Sequence, residues 1–229
     1  MTTDKIAHYK ISSFYFFYFA LLGALLPYLG LYLKNNGFNS SDIGILLSII
    51  AFTKIISPNV MGYIADRYNI VMTIVRLCSV LTLIGFMFLF LSQTFWQYLI
   101  SLLIFSFFWN AQLSQFETHT LSFLKEDSHK YSHIRVWGSA GFVVAVIICG
   151  TAFTFIDIDN LLIILILLSS ALLFNSFVIY DLTSNQTLNK SQSLWQVLKK
   201  PVVILILLLS FVLQATHGVY YSFYSETFA

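Results

Sequence analysis

Charge is what this sequence most lacks. Only 10% of its 229 residues are Asp, Glu, Lys or Arg, twelve basic against ten acidic, where a soluble domain carries about 25%. That shortage excludes a water-facing surface, and with it a soluble enzyme or binding module. The formal net charge of +2 and the absence of a basic stripe leave no electrostatic footprint for nucleic acid. Cysteine is nearly missing too. Cys78 and Cys149 both sit inside apolar runs, so neither a disulfide framework nor a thiolate metal site is indicated, and no cofactor is expected. Also missing are His-Glu-x-x-His, Gly-x-Ser-x-Gly and paired intramembrane aspartates, which leaves a membrane-embedded enzyme without a motif.

What is present is apolar and aromatic bulk: 58% apolar and 17% aromatic, with 23 Phe and 13 Tyr. A transmembrane helix needs roughly 20 mostly apolar residues. Seven stretches qualify, at about 11–33, 42–65, 71–92, 95–121, 135–156, 161–181 and 201–224. The chain reads as an all-α integral membrane protein embedded in the lipid bilayer. Mostly short links, with about 122–134 and 182–200 as the exceptions, make consecutive helices antiparallel neighbours. The polar stretch near 182–200 reads as a solvated linker, dividing the chain into a six-helix part (1–182), a linker (183–200) and one further helix (201–229). The first apolar run is about twice as long as a signal peptide's hydrophobic region, so it is read as a retained span. Ten basic residues, from Lys5 and Lys10 to Lys199 and Lys200, fall at the amino end or on every second link, and only Lys34 falls opposite. The positive-inside rule then places the N-terminus in the cytoplasm, in a cell (inner) membrane. That orientation is the reverse of a rhodopsin-like receptor.

Three patches go beyond composition. The first span carries Gly23 and Pro27 four residues apart within Tyr18-Phe19-Ala20-Leu21-Leu22-Gly23-Ala24-Leu25-Leu26-Pro27-Tyr28. Gly23 allows close helix approach and Pro27 frees a carbonyl and kinks the helix. Between spans two and three stands Gly62-Tyr63-Ile64-Ala65-Asp66-Arg67, a glycine four residues before an acid–base pair. It would permit tight packing, with a charge placed to bond a neighbouring helix terminus. The third patch, Tyr131-Ser132-His133-Ile134-Arg135-Val136-Trp137-Gly138-Ser139-Ala140-Gly141-Phe142, opens span five.

With this third patch the chain resembles the major facilitator superfamily, and more narrowly the branch of lactose permease-like oligosaccharide–proton symporters and the 3-phenylpropionic acid permease. Gln214-Ala215-Thr216-His217-Gly218-Val219-Tyr220-Tyr221-Ser222-Phe223-Tyr224 is similar to that branch's seventh-helix pattern. The resemblance implies a major-facilitator helical bundle and a secondary transporter working by alternating access. Its partners would be a small organic solute, such as an oligosaccharide or aromatic acid, and protons. It also implies Gly62, Asp66 and Arg67 as a cytoplasmic gate. Where the family usually continues with Gly and two basic residues, Tyr68-Asn69-Ile70 follows here, which weakens that latch. The family has twelve helices and seven are found here, so a separate chain supplying helices 8–12 is the implied partner. The alternative is a non-transporting truncated product of an interrupted transporter gene.

An intramembrane charge needs a partner or a watery cavity, because it costs about 2.5–3.5 kcal/mol on insertion scales. Glu117 late in span four and Arg135 opening span five both lie near the cytoplasmic side and could meet. Asn110, Ser114 and Glu117 fall within about 60° of arc, and Arg135, Ser139 and Phe142 share a face. The pair reads as either a structural corner bridge or part of a solute site. The resemblance implies the second, since an acid and an arginine at these positions bind substrate in lactose permease-like transporters and an aromatic stacks on it. Phe142 stands where that aromatic is usually Trp. Lys54, about 12 residues into span two, either lines the cavity or is neutralised in the core. His217 is either a proton-path residue or a hydrogen-bonded packing group. His119, His129 and His133 are expected to be solvated.

Overall fold

The computed structural model describes residues 2–124, 130–180, 199–205, 208–210 and 212. With no water in the bilayer core, a spanning segment must satisfy its backbone internally, and the apolar runs accordingly form helices. They are α1 (Thr2–Leu25), α2 (Leu29–Asn35), α3 (Ser40–Tyr68), α4 (Val71–Phe90), α5 (Phe95–Leu124), α6 (Tyr131–Ala152) and α7 (Leu161–Val178), with a 3-10 turn at Ile158–Asn160 before α7. The break between α1 and α2 falls at Pro27, as expected of a residue that cannot donate. Taking α1 with α2, and the 3-10 turn with α7, six segments among the described residues are long and apolar enough to cross a membrane. The chain is a multi-pass membrane protein with an all-α bundle.

The expected seventh span lies mostly outside the described residues, of which 201–205, 208–210 and 212 are helical. Residues 1–184 form one compact unit, and residues 185–229 form another. Span five begins four residues earlier than its hydropathy suggests. Tyr131 already starts the helix and Phe153 follows its last turn, so Arg135 lies inside α6 rather than at its mouth.

Helix ends are closed by named groups. The Asn39 side chain accepts from the Asp42 amide at 2.9 Å and caps α3, which ends in left-handed Asn69 at φ 53°. Three donors from two neighbours close α7. Arg76 reaches the Ser176 carbonyl at 3.3 Å and that of Ile179 at 3.1 Å, and Lys10 reaches Val178 at 3.3 Å. Cations there also complement the negative end of the helix dipole.

The packing corrects one sequence expectation. Consecutive helices are not, in general, close neighbours: α5 and α6 barely meet, and α3 and α4 little more. The first span packs on the fifth and sixth (α1 on α6 and α7), the fourth on the second and third (α5 on α3 and α4), and the third on the sixth (α4 on α7). Exchanging spans one, two and three with four, five and six maps this set onto itself. That is the signature of a three-plus-three internal repeat. Between helices in lipid the drive comes from close fit and hydrogen bonds rather than from water. Gly85 lies so close to Phe105 that a Cβ would stand 2.6 Å from that residue's own Cβ. The α3–α5 seam holds a Thr53–Ser106 hydroxyl bond of 2.9 Å, and the α4–α5 seam holds a Gln112–Ser79 bond.

Candidate functional site

The polar centre of the six-span unit is assembled by three helices. From α5, Glu117 places Oε1 3.1 Å from Arg135 Nη1 of α6, with each side chain about a third exposed (34% and 35%). The exposure matters: the pair is neither sealed in the core nor lost in bulk water. Tyr131, one turn before Arg135, donates its hydroxyl to Glu117 Oε1 at 3.4 Å. Arg135 Nη1 is shut off from solvent and has no aligned hydrogen-bond acceptor, so its contact with Glu117 is one of charge rather than a well-directed bond.

Rings from α1 complete the arrangement. The Arg135 guanidinium carbon lies 4.5 Å from the Phe19 ring centre and 5.2 Å from that of Tyr15, within the range of cation–π attraction. Tyr15 and Phe19 are four residues apart and therefore on one face of α1. Tyr15 also donates to Thr120 Oγ1 of α5 at 3.2 Å.

The residues singled out in the sequence that fall among the described residues can now be placed. Glu117 and Arg135 do meet. Phe142 is half-buried on α6, and its backbone faces Gly23 of α1, while the rings found over the guanidinium belong to Tyr15 and Phe19. Asn110 is buried and turned to α3, donating to the Ile50 carbonyl at 3.2 Å and to Thr53 Oγ1 at 3.1 Å. Lys54 is exposed halfway along α3. Pro58 has no N–H to return to its carbonyl, which adds a second polar point at that depth. Gly62 faces Gln115 of α5, whose Nε2 would lie 3.3 Å from an added Cβ. Asp66 and Arg67 are exposed, and Arg67 donates to Tyr63 on its own helix at 2.8 Å rather than to a neighbouring terminus. His217 lies outside the described residues, as does His129. His133 is exposed as expected, but His119 is not. It is 4% exposed and tilted against Phe116 at 6.0 Å, because α5 continues to Leu124 and keeps that turn inside the bundle. The residues that sequence reasoning passed over are Tyr15, Phe19, Thr120 and the hydroxyl of Tyr131.

A separate groove of about 360 Å³ runs between α3 and α5, lined by Phe52, Thr53, Ile56, Leu103, Ile104, Phe107 and Phe108. Neither charge of the ion pair lines it. Among the described residues no group of three metal-ligating side chains comes together.

Comparison with known proteins gives the family and the fold. The model of the MFS_1 like family matches residues 8–228. The chain belongs to that family. The uncharacterized transporter YwbF of Bacillus subtilis (strain 168) is 26% identical over 146 residues, which are 62% of this chain and 36% of that protein. The crystal structure of the nucleoside transporter NupG superposes with a TM-score of 0.74 at 22% identity, over 84% of this chain and 48% of that one. A mutant of NupG gives 0.73 at 21% identity, over 93% and 53%. This MFS_1 like chain therefore spans about half of the NupG chain and about a third of YwbF, and its fold is that of a major facilitator protein. The named relatives are transporters rather than enzymes.

Proposed function

We propose that this chain belongs to a secondary active transporter that moves a small organic solute with protons by alternating access, and that the Glu117–Arg135 pair recognises the solute. The observation that carries the reading is the pair itself, half-open and flanked by aromatic rings. A buried bridge whose only role was structural would be sealed and fully bonded, since an ion pair in lipid gains most when its remaining donors and acceptors are satisfied.

The geometry also favours one solute class over another. Glu117 already neutralises Arg135 at 3.1 Å, so an incoming carboxylate would meet an acid beside its arginine. A neutral vicinal diol meets no such repulsion, because it can donate to the carboxylate and accept from the guanidinium. Hydroxyl-rich neutral solutes, sugars or nucleosides, therefore suit the pair better than aromatic acids. A nucleoside, the solute in NupG's name, is of this kind and has an aromatic base to set against rings. Reconstitution in liposomes with an imposed proton gradient, together with any chain that supplies further helices, tests this. Saturable uptake of a neutral hydroxylated solute, lost when a protonophore collapses the gradient, is expected. Uptake restricted to aromatic acids would overturn the preference.

Lys54 is read here as a residue of the cavity, and the pattern of its helix supports that reading. Ala51 and Pro58 stand within about 60° of it around α3, whereas the exposed Phe52, Ile56, Val60 and Tyr63 lie on the far side. A lysine at mid-span is too costly to leave against acyl chains, so the bulky side meets lipid and the small-residue side faces water or protein. Gly62, Asp66 and Arg67 stand at the cytoplasmic end of the same helix, where a gate would close. In this reading His217 serves the proton path.

The orientation follows from Lys and Arg placement. Reporter fusions after Asn36 and after Asn189 are expected to report opposite compartments, with Asn189 cytoplasmic. Matching signals would reject the seven-span arrangement, and opposite signals with Asn189 outside would reject a cytoplasmic N-terminus.

A further inference from the structure

Glu117 and Arg135 stand on helices that barely touch one another, so something else must set the distance between them. Two features of α1 do this differently. On the α6 side the backbones are pressed together. A Cβ on Gly141 would overlap the Phe16 carbonyl, and one on Gly138 would lie 2.7 Å from the Phe19 ring. On the α5 side α1 is held off by a layer of rings: Phe14 stacks on Phe116 at 3.6 Å and Tyr18 on Trp109 at 5.1 Å. Arg135 thus moves with α1, and the ring layer sets how far α1 stands from Glu117.

We propose that Tyr15 is the positioning residue of the Glu117–Arg135 pair, a spacer locked by its hydroxyl to Thr120. It is fully buried and touches Arg135, Tyr131, Phe116 and Thr120. Its ring lies 5.2 Å from the Arg135 guanidinium carbon, meets Tyr131 edge-on at 6.5 Å and Phe116 edge-on at 5.3 Å. Its hydroxyl holds Thr120, which stands three residues after Glu117 on α5 and in turn donates to the Phe116 carbonyl at 2.8 Å. A ring anchored at only one end can tilt. One anchored through Thr120 ties α1, with the α6 packed on it, to α5, and any shift of α1 is passed to the ion pair. The proposal rests on the transport reading only for its functional consequence.

The test separates the two. In the full chain with Cys78 and Cys149 replaced by alanine, Glu117→Cys and Arg135→Cys are joined by bifunctional methanethiosulfonates of graded length. With Tyr15 present, one reagent length should dominate. Tyr15→Phe and Thr120→Val should each broaden the profile, and Tyr15→Ala should shift it to shorter reagents. In a second arm the ion pair is left intact and uridine is the probe. Thr120→Val should raise KM about five-fold, as expected for one hydrogen bond lost, with maximal rate unchanged and Thr120→Ser restoring KM. An unchanged cross-linking profile in all three variants overturns the positioning role. If no version carries uridine, that solute is rejected, and the cross-linking profile still decides whether Tyr15 sets the spacing.

Discussion

Arg135→Lys is expected to lower solute uptake roughly 100-fold while the chain stays in the membrane fraction at the level of the parent. Lysine keeps the charge near Glu117, so the intramembrane carboxylate is still neutralised and insertion is spared. It loses two other things. The planar fork that can address two hydroxyls at once has no counterpart in an ammonium group. The flat guanidinium packed over Phe19 and Tyr15 at 4.5 and 5.2 Å is replaced by a flexible stem. Loss of charge-assisted bonds at about 1.5–3 kcal/mol gives a fall of that size. Uptake assays with parallel immunoblots of membrane fractions provide the measurement. Near-normal uptake by the lysine variant would leave Glu117–Arg135 as a corner bridge and remove it from the solute site.

The ion pair could be foreseen because charges are so scarce. Two opposite charges inside facing ends of spans four and five have few other partners, and composition alone brings them into view. The surroundings of the pair were hidden for a physical reason. In a water-soluble bundle the buried face of each helix is marked by apolar spacing. In lipid the outer face is as apolar as the inner one, so the period fades. Tyr15 and Phe19 stand in Tyr15-Phe16-Phe17-Tyr18-Phe19, where every residue is aromatic and nothing in the sequence says which two face Arg135. The same loss of pattern explains Asn110. The arc it shares with Ser114 and Glu117 suggests a polar stripe, and its amide bonds α3, because a lone amide in lipid takes the nearest carbonyl. Neighbour relations were equally hidden. Consecutive spans were expected to be antiparallel neighbours, α5 and α6 among them, whereas the three-plus-three repeat sends α6 to α1. The six described spans were legible from hydropathy to within about five residues of the membrane-crossing segments.

That α1–α6 contact carries the second large effect. Gly141→Ala is expected to destabilise the six-span unit by about 2–3 kcal/mol, at the upper end of overpacking costs. The added methyl would overlap the Phe16 carbonyl oxygen and crowd its Cα. These are backbone atoms of a continuous helix, so no rotamer change relieves the clash, and α1 must move as a body. Two further contacts resist that movement. Gly23 lies under the Phe142 carbonyl, where a Cβ would be 2.6 Å away, and Gly138 lies under the Phe19 ring. Separating the helices therefore opens the whole seam, and with it the seat of Tyr15 and Phe19 over Arg135. Gly44→Ala provides the contrast, because nothing lies within 4 Å of a Cβ there and alanine suits a helix interior better by up to about 1 kcal/mol. Thermal unfolding in detergent, followed by tryptophan fluorescence, should show a lower midpoint for Gly141→Ala and an equal or higher one for Gly44→Ala. Gly141→Ala should also lose uptake at temperatures where it is still folded, since the seam supplies the placement of α1 as well as stability. If Gly141→Ala melts with the parent, α1 and α6 are not in backbone contact, and the positions assigned to Tyr15, Phe19 and Arg135 fall together.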